Sequence, residues 1–192
     1  MVLTAHARTL TDRIATPVAK KLVRMGATPN WLTCFGLAGV LVGVGLVLVG
    51  WSFVGALVMA AATILDGLDG AVARLRGSES ALGSFLDSVS DRVADAAIFS
   101  AAAWLVRADP VLFGVAMVAL GTALITSYIR AKAEALGWYA TVGLIERAER
   151  MVVLILAIGF GFVPAALWAL AAGGLVTVAQ RLHCVFRQAL QP

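Results

Sequence analysis

"ILDGLDGAVARLRGSESALGSFLDSVSDRVADAAIF", residues 64–99, sets Asp66, Asp69, Asp87, Asp91 and Asp95 among leucine, alanine, valine and phenylalanine. The surroundings are those of a chain made for lipid. Of 192 residues, 61% are hydrophobic and 14% charged, whereas a soluble domain carries about 25% charged residues. An ionised carboxylate in hydrocarbon costs several kcal/mol, so acids kept there are candidates for function. Snorkelling to the interface, or pairing with Arg74, Arg76 and Arg92, accounts for one or two of these acids but not for all of them.

Spacing sharpens the case. Asp66 and Asp69 are three residues apart and, on a helix, about 60° apart around the axis. Asp87 and Asp91 are four apart and share a face of the next helix. The short connection makes these helices antiparallel neighbours, so the two pairs can meet at similar depth. Four carboxylates brought together repel one another or take up protons unless cations intervene. All-oxygen ligation suits Mg²⁺, Mn²⁺ or Ca²⁺, whereas zinc favours His or Cys, which are absent from this stretch. Gly67, Gly70 and Gly83, with Ala71 and Ala73, lie beside the acids and leave room for a bulky ligand or close backbone approach.

Further out, six stretches have the roughly 20 apolar residues that cross a bilayer: 31–50, 53–75, 82–106, 110–136, 145–162 and 164–187. The fold class is thus an all-α integral membrane protein. Its domains are an amphipathic juxtamembrane helix over 1–26 and a six-helix transmembrane catalytic domain over 27–192. In the first of these, Leu10, Ile14, Val18, Leu22 and Met25 recur at helical spacing, with Arg13, Lys20, Lys21 and Arg24 largely elsewhere. The N-terminal segment lacks the apolar core and cleavage site of a signal peptide and is read as mature protein. Both termini in the cytoplasm, in a plasma membrane, put every Lys and Arg except Arg92 and Arg107 on or near that side. Cys34 and Cys184 read as buried free thiols.

Asp66-x2-Asp69-Gly70-x2-Ala73-Arg74-x8-Gly83-x3-Asp87-x3-Asp91 resembles, position for position, the signature of the CDP-alcohol phosphotransferase family. The resemblance extends over essentially the whole chain. It implies six spans, a homodimer, and transfer of a phosphatidyl-type group from a CDP-linked lipid to an alcohol with release of CMP. It also implies that Asp66, Asp69, Asp87 and Asp91 hold Mg²⁺ or Mn²⁺, two ions in all, with Asp91 also the catalytic base. Gly70, Ala73, Arg74 and Gly83 would shape the CDP-lipid site. Pro29, Asn30 and Thr33, which open the first span, are added to it, although Asn30 reads equally well as a helix cap. Asp95 lies outside the signature and its role stays open.

The acceptor is read from charges elsewhere. "SYIRAKAEALG" (127–137), "LIERAERM" (144–151) and "AQRLH" (179–183) resemble the branch of the family formed by bacterial phosphatidylinositol-phosphate synthases. That branch joins CDP-diacylglycerol to inositol phosphate. Arg130 or Lys132, Arg150 and Arg181 would then bind the acceptor phosphate, as several cations converging on one cavity imply. Glycerol-3-phosphate, used by phosphatidylglycerophosphate synthases, is the rival acceptor. A cation or proton transporter is the rival class; it is disfavoured because no polar residues continue the acids to the other face and no inverted repeat appears. Membrane lipids are expected partners and nucleic acid is not.

Overall fold

The computed structural model describes residues 16–78 and 80–190, and every regular element among them is helical. Helix α1 covers 16–24, followed by α2 (Pro29–Leu48), α3 (Ser52–Asp66), α4 (Asp69–Arg76) and α5 (Ala81–Leu105). Then come α6 (Pro110–Ala135), α7 (Arg147–Phe160) and α8 (Val163–Ala189). Leu10, Arg13 and Ile14 of the expected amphipathic helix lie outside the described residues.

The helix starts are written locally. Thr28 Oγ1 accepts the Trp31 N–H at 3.4 Å ahead of Pro29, so Thr28 caps α2 and Asn30 is released from that role. Asp109 accepts from the Val111 and Leu112 N–H groups ahead of Pro110. Glu146 and Glu149 form a capping box on α7. Gly77 ends α4 in the left-handed region at φ 58°, a conformation that glycine enters without strain.

Among the described residues, four helices are long and apolar enough to cross a membrane: Pro29–Leu48, Ser52–Arg76 counted across its break, Pro110–Ala135 and Val163–Ala189. The other two expected spans differ for separate reasons. α7 has 14 residues, about 21 Å at 1.5 Å per residue, short of a bilayer's ~30 Å. α5 has 25 residues but carries Asp87, Asp91, Arg92 and Asp95. The expected single helix over 53–75 is broken: α3 stops at Asp66 and α4 starts at Asp69. Gly67, a weak helix former, occupies the break.

The chain divides into two compact units. One holds the described residues up to 42 together with 58–94. Its core joins Ala19 of α1, Leu32 of α2, and Ala71 and Val72 of α4, with Leu22, Val23 and Leu65 against them. The protein-facing side of α1 is therefore Ala19, Leu22 and Val23, while Val18 and Met25 are exposed. Ala71 is likewise core and not cavity wall.

The second unit holds 43–57 and the described residues from 95. Here α8 packs along α6 and against α7. It also pins the 136–146 link. Thr177 Oγ1 accepts the Ile145 N–H at 3.3 Å, Arg181 Nε donates to the Val142 carbonyl at 2.9 Å, and Gln188 Nε2 donates to the Tyr139 carbonyl at 2.6 Å. The two cysteines are free but not buried: Cys34 is exposed and Cys184 half-buried. Apolar neighbours in the sequence had suggested otherwise, but exposure to a lipid environment satisfies them equally well.

Candidate functional site

The first unit builds its site around the break between α3 and α4. Asp66 ends one helix, Asp69 begins the next, and Asp87 comes from the second turn of α5. One carboxylate oxygen from each lies within 4.8 Å of those of the other two. All three are half-buried. Three like charges at this separation favour a shared cation, and an all-carboxylate donor set fits a hard divalent ion. Asp91, one turn beyond Asp87, does not join this set; its Oδ2 lies 3.3 Å from Arg92 Nη2.

Asp69 is held from two sides. Its Oδ2 accepts the Thr33 hydroxyl at 2.7 Å and its Oδ1 accepts the Gly70 N–H. Thr33 is buried and lines the cleft described next, but its hydroxyl is turned to the carboxylate. Its part is thus to orient Asp69.

Beside the acids lies a cleft of about 260 Å³. Pro29, Asn30, Thr33, Gly70, Ala73, Arg74 and Gly83 all line it, so every residue expected at the CDP-lipid site is brought together there. Asp69 and Asp87 form its acidic end and Arg74 supplies a cation. A side chain at Gly83 would sit 3.1 Å from Ser80 Oγ and 3.5 Å from Asn30 Oδ1, crowding the cleft.

Sequence reasoning missed several contributors. Ser78, Ser80 and Ser84 also line the cleft. The signal was there, since Ser80 Oγ accepts the Gly83 N–H at 3.0 Å and so caps α5. Gly36 was missed as well. A Cβ there would come within 2.7 Å of Asp66 Cβ, so only glycine lets α2 lie against this aspartate. Gly67, expected on the contact face, would meet only carbonyls of its own helix.

The second unit gathers cations. Arg150 Nη1 donates to Thr126 Oγ1 at 3.4 Å and Arg181 Nη1 to the Thr126 carbonyl at 2.6 Å. Both arginines are buried. They converge on Thr126 of α6. Arg130 and Lys132 are exposed, and Arg130 Nε donates to Glu134 at 2.8 Å. Asp95 is fully buried beside Arg147 and Arg150.

Residues 26–180 match the family model of the CDP-alcohol phosphatidyltransferases. The chain belongs to that family. Among its relatives in the family is a phosphatidylinositol phosphate synthase of Mycobacteroides abscessus, 39% identical, the match covering 90% of this chain and 84% of the relative. Another, of Streptomyces avermitilis, is 38% identical over 99% of this chain and 85% of its own length. The structure is similar to that of the Mycobacterium tuberculosis phosphatidylinositol phosphate synthase with CDP-DAG bound: TM-score 0.85, 34% identity, covering 94% of this chain and 98% of that one. It is also similar to the same enzyme in complex with manganese and citrate: TM-score 0.84, 35% identity, covering 93% and 92%. Like them, this member of the CDP-alcohol phosphatidyltransferases is a transferase of phospholipid synthesis.

Proposed function

We propose that the chain transfers the phosphatidyl group of CDP-diacylglycerol to inositol phosphate, giving phosphatidylinositol phosphate and CMP. The observation that carries this is the cleft in the first unit, where seven expected lipid-nucleotide residues meet Asp69 and Asp87. Asp66, Asp69 and Asp87 would hold the cation, Mg²⁺ or Mn²⁺, with Asp91 reaching a second ion. Such an ion, when bound, would supply charge neutralisation for the diphosphate. The chain's own residues do the rest. Arg74 meets phosphate charge in the cleft, and Pro29, Asn30, Ala73 and Gly83 hold the nucleotide. Asp91 takes the proton of the acceptor hydroxyl as its oxygen bonds the phosphatidyl phosphorus. The bond from that phosphorus to the CMP oxygen breaks, and CMP leaves.

The acceptor reading rests on the convergence of Arg150 and Arg181 on Thr126, with Arg130 and Lys132 nearby in sequence on α6. Two buried guanidinium groups on one residue suit a phosphate. The names of the relatives point the same way. Six spans, a plasma-membrane location with both termini and the site on the cytoplasmic side, and a homodimer complete the proposal. The distribution of Lys and Arg supports the topology, and the family resemblance supports the dimer.

The test is direct. Purified protein is given CDP-diacylglycerol with Mg²⁺ or Mn²⁺ and, separately, inositol phosphate, free inositol and glycerol-3-phosphate, and CMP is measured. Turnover with inositol phosphate is expected. Turnover only with glycerol-3-phosphate would overturn the acceptor while sparing the family.

A further inference from the structure

Asp95 is the most deeply buried carboxylate among the described residues, with none of its surface exposed. Nothing in the family signature accounts for it. Its Oδ1 accepts from Arg147 Nε at 2.9 Å, and its Oδ2 lies 3.9 Å from Arg150 Nη2. Arg147 and Arg150 are three apart at the start of α7 and so present a common face to it. One carboxylate serves two guanidinium groups.

Burying an ion pair is a poor source of stability, so Asp95 calls for a role beyond holding the fold. The two bonds also differ in kind. Arg147 makes a short, directed hydrogen bond, while Arg150 is drawn electrostatically toward Asp95 on one side and hydrogen-bonded to Thr126 on the other. Thr126 in turn accepts Arg181 at its carbonyl. Asp95, Arg150, Thr126 and Arg181 thus form a continuous chain of contacts within the second unit.

We propose that Asp95 is a positioning residue for the acceptor: it fixes the Arg150 guanidinium toward Thr126 and Arg181, so that the two arginines together meet the phosphate of a phosphorylated alcohol. The proposal rests on the acceptor reading above, and it gives Asp95 a role in specificity and none in the chemical step.

The test is the KM for each substrate in Asp95→Asn and Asp95→Glu, assayed as CMP release from full-length enzyme in detergent. In Asp95→Asn the acceptor KM is expected to rise at least ~10-fold, as misplacement of a positioning group does, while the KM for CDP-diacylglycerol stays within about twofold. Asp95→Glu keeps the charge and should recover part of the loss. If Asp95→Asn does not fold, Thr126→Val removes the hydroxyl that orients Arg150 and should produce the same split. Equal rises in both KM values, or a fall in kcat alone, would overturn the proposal. Wild-type turnover with free inositol but with no phosphorylated alcohol would instead remove the acceptor reading, and this proposal with it.

Discussion

The acidic cluster of the first unit and the basic cluster of the second solve opposite problems. Asp66, Asp69 and Asp87 place like charges within 4.8 Å of one another, an arrangement that a cation makes tolerable. Arg150 and Arg181 lie among oxygens supplied by the protein itself: the Thr126 hydroxyl and carbonyl, the Val142 carbonyl and the Asp95 carboxylate. The first arrangement suits a cation, while the second is met by the protein's own oxygens. Substitutions in the first should therefore act on turnover and metal dependence. In the second they should act on acceptor affinity and on the fold.

The largest effect should come from Asp69→Asn. Losing one of three clustered carboxylates forfeits several kcal/mol of charge stabilisation, so CMP release should fall at least ~1000-fold at one decade per 1.36 kcal/mol. Activity within tenfold of wild type would break the comparison, because the acids would then be no more critical than a solvated ion pair. Thr33→Val is milder and sharper. It removes the hydroxyl on Asp69 Oδ2 and should raise the metal concentration for half-maximal activity about 10–100-fold, the usual cost of losing a group that orients a ligand. Saturating metal should restore most of the turnover. A fall in turnover that extra metal does not repair would assign Thr33 to the substrate instead.

How much of this was legible in the sequence follows from distance along the chain. Asp66, Asp69 and Asp87 are local, set by helical period and one short connection, and their spacing could be read directly. The break between them could not, because Gly67 is tolerated inside many helices and only the packing decides. Gly36 illustrates the harder case. Its need to be glycine comes from Asp66, thirty positions away, and no local pattern encodes that. The basic cluster draws on α5, α6, α7, α8 and the 136–146 link, so composition showed cations but not their partners. Asp95 is the clearest instance: visible as an anomaly, it acquires a meaning only beside Arg147 and Arg150.

Arg130→Gln should have the smallest effect, and it sharpens the comparison from the weak side. Arg130 is exposed and bonded to Glu134 one helical turn away, a kind of pair that contributes little to stability. Unlike Arg150 and Arg181, it is not buried. The thermal midpoint should barely move, and the acceptor KM should rise about threefold, the scale of one screened charge. Lys132 is exposed on the same helix and offers a second cation of the same kind, so Arg130→Gln combined with Lys132→Gln should roughly square that factor if both face the acceptor phosphate. A double variant no weaker than the single one would leave Arg130 as the only contributor, and an unchanged KM in both would confine the acceptor's cations to the buried pair at Thr126.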